Sequence, residues 1–158
     1  MPIYMKYDGI DGDVTAAGHE KWIELQSCQW GVGRGISMPT GRGANREASA
    51  PSVSEIVVTK LTDTASPKLL GAALHGEGKK VTIDFCKTDE GKLEVYLEYM
   101  LENTMVSSFN LSSGGDRPTE SLSLNFLKVE FKNIPGGGEN APGSPESVIY
   151  DLAAGKLG

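Results

Sequence analysis

Ser121 to Phe131 reads SLSLNFLKVEF, and its alternation decides the fold class. Leu122, Leu124 and Phe126 share one parity; Leu127, Val129 and Phe131 share the other. A period of two marks a strand with one face on a core. The phase slips between Phe126 and Leu127, which predicts a β-bulge in the longest strand of the chain.

The same period recurs on either side. Met105 to Leu111 reads as a further strand, followed by the turn SSGGDRP. Before it, Lys80–Cys86 alternates Val81, Ile83 and Phe85 against Thr82, Asp84 and Cys86. A hairpin at Asp89-Glu90-Gly91 leads into Leu93–Tyr99, where Leu93, Val95, Leu97 and Tyr99 alternate with polar residues. Glu55–Leu61 (EIVVTKL) is another strand, and Ile3, Met5 and Tyr7 share a face of the first. Lys21–Trp30, KWIELQSCQW, reads as one long strand. There Ile23 and Leu25 share a face with Ser27 and Gln29, opposite Trp22, Cys28 and Trp30. Downstream, a Gly/Pro linker over 135–146 precedes a last strand at Ser147–Leu152.

One helix is expected over 66–75, with Ser66 as N-cap, Pro67 at the first helical position and Gly76 as the stop. Leu70, Ala73 and Leu74 form its apolar face. Too short to be stable alone, it must dock on a sheet. About eight strands and one helix predict a mainly β fold: a compact antiparallel two-sheet β-barrel with a short flanking α-helix. The 158 residues fit a single domain, 1–158.

Residues 31–54, GVGRGISMPTGRGANREASAPSVS, interrupt the alternation as a long extended loop. Loops beyond about 12–15 residues are uncommon in compact domains unless they serve a purpose. Arg34, Arg42 and Arg46 stand there against a single Glu47, a basic patch in a chain of net charge -6. Its lack of aromatics argues against nucleic-acid stacking. An arm that meets an acidic surface on a neighbouring subunit fits the charges better. The net charge also disfavours nucleic acid and anionic membranes as partners, and no stretch approaches the length of a membrane span.

Candidate chemistry is sparse. His19 sits in a turn and His75 in the last turn of the helix, neither with a second ligand at metal spacing. DGIDGD resembles the start of a calcium loop, but the register from Asp11 puts Ala16 where Gly is required and Trp22 where Glu is required. GVGRG and GRG do not complete GxGxxG, because Met38 and Arg46 occupy the third positions. Glu94, Glu98 and Glu102 read as a solvated strand face, and no Ser-His-acid or GxSxG pattern is present. No enzyme, metal centre or cofactor is expected. Cys28 and Cys86 fall in strands as small hydrophobes, with a disulfide between them left open. The N-terminal MPIYMKYDGIDGD has no apolar run of signal-peptide length. The chain is therefore expected to fold in the cytoplasm and to leave by a route that reads no cleaved signal.

Together these segments resemble the haemolysin-coregulated protein (Hcp) family, the tube subunit of bacterial type VI secretion systems. IDGD after the first strand, KWIELQSCQWGVGRG, DTASPKLLGAALHG, YMLENTMVSSFNLSSGGDRPTESLSLNFLKVEF and the terminal YDL carry the likeness over nearly the whole chain. The resemblance implies a β-barrel assembled into a homohexameric ring with a wide channel. Rings stack into a tube, capped by a valine-glycine-repeat spike protein and surrounded by a contractile sheath. Firing expels the tube from the cell, and effector proteins ride in the channel.

Members often carry two tryptophans flanking one channel-facing residue in the second strand. Here Cys28, Gln29 and Trp30 occupy that stretch, so Gln29 is expected to line a polar channel, with Ser113 near it. Arg34, Arg42 and Arg46 are expected to serve contacts between subunits or stacked rings. Nothing follows Gly158, so the toxin-fused version of the family is not expected. The alternatives are a small β-barrel ligand-binding module and a phage-type tail tube protein.

Overall fold

We describe residues 1–37, 49–135 and 144–158 of a computed structural model of the chain. In chain order the strands are β1 (Ile3–Tyr7), β2 (Ile23–Leu25), β3 (Ser27–Gln29), β4 (Val32–Gly33), β5 (Ser52–Val53) and β6 (Ile56–Leu61). The helix α1 (Ser66–His75) follows, then β7 (Lys79–Asp89), β8 (Lys92–Ser112), β9 (Thr119–Asn125), β10 (Lys128–Asn133), β11 (Glu146–Asp151) and β12 (Lys156–Leu157).

All ladders are antiparallel. One path runs β12-β11-β10-β8-β7-β1-β2, and a branch from β8 continues through β9 and β6 to β3. The expected two-sheet barrel is thus one large folded antiparallel sheet, with two halves hinged on β8. No ladder joins β2 to β3; the chain alone links them through Gln26, whose N–H donates to Thr59 O at 2.7 Å.

Four expected strands are corrected. Residues 121–131 form no single bulged strand: β9 belongs to one half and β10 to the other. The phase slip marks the change of sheet, with Phe126 buried and Leu127 exposed. The strand expected at 21–30 likewise divides, β2 pairing with β1 and β3 with β6. Conversely, the strands expected at 93–99 and 105–111 are one, β8, which pairs with β7 and β10 before Met105 and with β9 after it. Asn103, at φ 51, sits where β8 crosses between the halves. A Cβ on Gly78 would stand 1.6 Å from Asn103 Oδ1, so a larger residue there would have to displace the Asn103 side chain. The hairpin after β7 turns at Glu90 and Gly91, both with positive φ, which is type I′ geometry.

Both halves bury their inward parity in one cluster. Met5, Ile23, Val81, Ile83 and Leu101 come from one half; Ile56, Val58, Leu122 and Leu124 come from the other. Each such buried side chain contributes about 1.5–3 kcal/mol. The helix adds Ala65 and Leu69, whereas Leu70 and Leu74 are exposed, so its expected apolar face is rotated by one position.

The Ser66 cap is also overturned. Ala65 is the N-cap, and Ser66 lies buried within the first turn. Its hydroxyl is drawn inward to a buried ion pair, where Lys60 Nζ meets Glu120 Oε1 at 3.0 Å directly across the β6–β9 ladder. Ser66 Oγ donates to Glu120 Oε2 at 2.6 Å and accepts from Lys60 Nζ at 3.1 Å. Asp63 Oδ1 accepts from Lys60 Nζ and from Ala65 N–H, so it tethers the helix start to the sheet. Burial favours the neutral acid at Glu120. Hydrogen bonds, that from Ser66 foremost, and the Lys60 charge outweigh it and hold the carboxyl below its usual range.

The base of the extended loop is a two-stranded ladder. β4 and β5 pair there, and Gly31 and Ser54 hydrogen-bond to each other at its neck. Both cysteines are free. Burial pushes Cys28 up to about 12 and Cys86 to about 11, so both stay protonated thiols. Among the described residues no helix is long and apolar enough to cross a membrane, and no cluster could hold a metal ion.

Candidate functional site

Alternation gives each half an outward face opposite the core, and the ladder register fixes its rows. On the β3–β6–β9–β8 half, one row runs Gln29, Val57, Ser123, Ser108. The next runs Ser27, Thr59, Ser121, Asn110, and a third Leu61, Thr119, Ser112. Not one of these residues is charged. Ser27 Oγ and Thr59 Oγ1 lie 2.5 Å apart, so neighbouring hydroxyls satisfy one another.

The register shift between Val106 and Ser108 returns the serines of β8 to this face after the crossing. Ser107, displaced by that irregularity, bonds Glu55 at the rim. The charges of this half, Lys60 and Glu120, point inward and are fully buried.

The other half differs. One row runs Glu24, Tyr4, Asp84, Glu98, Lys132 and Ser147, and the next Lys6, Thr82, Met100, Glu130 and Ile149. Part of this charged face is covered. Residues 11–22 fold over it, and His19 Nε2 meets Asp84 Oδ2 at 2.8 Å. The imidazole packs against Tyr4 and edge-on against Trp22.

His19 is therefore buried, beyond the simple turn position expected. Glu98 is half-buried, so the glutamates of β8 are not a uniformly solvated face. Burial foremost, then the neighbouring Asp84 carboxyl, pushes Glu98 up to about 7, against the pull of Lys132 and Lys80.

Gln29 is exposed at the outer strand of the neutral face, on the parity opposite Cys28. Ser113 is exposed in the turn after β8, at the far edge of the same face, where its Oγ donates to Asp116 O at 3.3 Å. Arg34 is exposed just after β4, remote in sequence from both strands of the ion pair. Arg42 and Arg46 lie outside the described residues. Ser27 was placed on the face of Gln29 without a role, and Thr59, Ser108, Asn110, Ser121 and Ser123 escaped the sequence reading, which followed the apolar parity. Their signal was the polar parity of SLSLN and VSSFNLS.

The family model described as type VI secretion system effector, Hcp, matches residues 4–132. A search of curated proteins finds no match. A solved structure of a type six secretion system protein is 29% identical, with a TM-score of 0.87 over 99% of both chains. Hcp1 from Salmonella typhimurium is 26% identical, with a TM-score of 0.78 over 99% of this chain and 97% of its own. A type VI secretion system effector from Yersinia pestis shares the fold at 22% identity, with a TM-score of 0.75 over 94% and 98%. The chain belongs to the Hcp family of secreted type VI tube proteins, a structural rather than an enzymatic family.

Proposed function

We propose that this chain forms homohexameric rings that stack into the type VI tube, with the neutral face turned to the channel and effector proteins carried against it. The carrying observation is the absence of charge from the Gln29–Ser123 and Ser27–Asn110 rows. In a ring each wall residue faces symmetry copies of itself, so a charge there would meet like charges. Hydroxyls and amides donate and accept, and so tolerate both their copies and varied cargo. Sixfold repetition multiplies a weak contact per subunit.

In this reading the sheet closes as a barrel at the Gln26 corner. The arm of 31–54, with Arg34, Arg42 and Arg46, contacts a neighbouring subunit or ring. Exposed Val32 at its base and Val148 and Leu157 nearby supply apolar surface that a neighbour would cover. The spike protein and contractile sheath are the further partners, and the protein is cytoplasmic until firing. The interior is filled by core side chains, so nothing among the described residues favours a ligand-binding barrel.

Labelling tests the assignment. Gln29→Cys in a Cys28→Ser, Cys86→Ser background should sediment as a ring-sized species and react with a small maleimide while assembled. A monomer at every concentration removes the tube reading. A ring in which position 29 is as protected as a core residue inverts the lumen assignment.

A further inference from the structure

The charged half holds a cluster of titratable side chains beneath the 11–22 loop. His19 comes from the 11–22 loop, Asp84 from β7 and Glu98 from β8, and the last two stand directly opposite in the ladder. His19 and Asp84 are almost fully buried, and Asp84 Oδ1 is buried without a hydrogen-bond partner. Two carboxylates in cross-strand register repel unless a proton lies between them. The loop above is fastened at two places, here and at Asp13, whose carboxylate accepts from Thr64 N–H and Oγ1 ahead of the helix. Its hydrogen bonds are mostly internal, from Gly12 to Lys21, Val14 to Trp22, Lys21 to Val14 and Trp22 to His19. The His19–Asp84 bond fastens that unit to the sheet.

We propose that His19, Asp84 and Glu98 form a proton-operated latch: a proton held on the carboxyl pair keeps the 11–22 loop closed over the charged face, and its loss releases the loop. A protonated Glu98 can offer its O–H to Asp84 Oδ1, leaving Oδ2 free for His19. Once both carboxyls are ionised, their repulsion falls on the strand pair that anchors the imidazole. The other groups facing the cluster are Glu20 of the loop, Tyr4 of β1, Glu24 of β2, Lys80 and Cys86 of β7 and Lys132 of β10. Lys80 and Lys132 soften the repulsion without entering the latch.

The two ionisations act in opposite directions. Glu98 is raised from 4.5 to about 7, so its contribution to closure is complete below 4.5 and is lost as the pH rises through about 7. Burial lowers His19 from 6.5, so closure weakens on the acid side as the pH falls below 6.5. Closure is therefore bell-shaped, with an alkaline limb set by Glu98 and an acid limb set by His19. The latch is independent of ring assembly, because it lies on the other half of the sheet from the neutral face.

Hydrogen–deuterium exchange on the full chain, corrected for intrinsic rates, tests it in peptides spanning residues 9–23. Between about pH 6 and pH 8 the loss carried by Glu98 should be about tenfold in protection there, the effect of one pK unit, with part of it offset in the wild type by the acid limb of His19. Peptides from β6 and β9 should stay unchanged. Glu98→Gln, a permanent mimic of the protonated acid, should abolish the loss. His19→Gln should remove the acid limb while lowering protection at all pH values. A flat wild-type profile, an equal loss in Glu98→Gln or an equal loss in β6 and β9 each overturns the latch. Should Glu98→Gln not fold, carboxyl-detected NMR of the wild type decides: a Glu98 midpoint near 7 supports the proposal and one near 4.5 ends it.

Discussion

The two halves of the sheet share a core and an alternation, yet they place charge oppositely. The β3–β6–β9 half hides a complete ion pair beneath a neutral surface. The β1–β7–β10 half keeps its interior apolar and displays acids and bases outward, partly under the 11–22 loop. A buried pair of opposite charges needs every lone pair and proton satisfied, and Lys60 Nζ has acceptors on Leu61, Asp63, Ser66 and Glu120. A surface row of charges needs only water. The contrast shows that charge is withheld from the neutral face even where this half has charges to spend.

The largest test cuts that ion pair. Glu120→Gln leaves Lys60 buried with Asp63 as its one remaining counter-charge and should destabilise the fold by about 1.5–3 kcal/mol in denaturant melts. The pair Lys60→Met, Glu120→Leu should recover most of that loss. Because the Glu120 carboxyl is held below 4.5, its contribution is present above that pH and fades as acid protonates it. Glu120→Gln should therefore flatten part of the acid limb of stability.

A smaller effect is expected when the neutral face is made to resemble the other. Ser121→Lys with Ser123→Lys should move folding stability by about 1 kcal/mol or less, as surface substitutions do. Ring assembly should nevertheless be lost in sedimentation at low salt and partly return at high salt, where repulsion is screened. Assembly indifferent to these charges would break the comparison. The smallest effect belongs to the arm: Arg34→Glu, Arg42→Glu and Arg46→Glu together should leave the unfolding midpoint within about 0.5 kcal/mol while reducing ring stacking. Unfolding of that variant would place the arm in the core.

The sequence by itself determined that the chain is mostly β, where its apolar parity lies, that one short helix follows Asp63, and which family the whole pattern fits. These are local properties: a period of two, a Ser-Pro helix start and an Asp-Glu-Gly turn each act over a few residues. It also held the neutral face in the serines of SLSLN, although their meaning needed the neighbouring strands. Only tertiary structure decided which strand pairs with which. The Phe126–Leu127 phase slip was visible, but a bulge and a change of sheet leave the same local trace. Continuity of β8 through Asn103 was hidden for the converse reason, since an apparent break was a crossing. The helix face and the role of Ser66 depended on Glu120, 54 residues away. His19 and Asp84 meet across 65 residues. Such partners are chosen by the register of distant strands, and the cost of bringing them together is repaid only when the whole core forms.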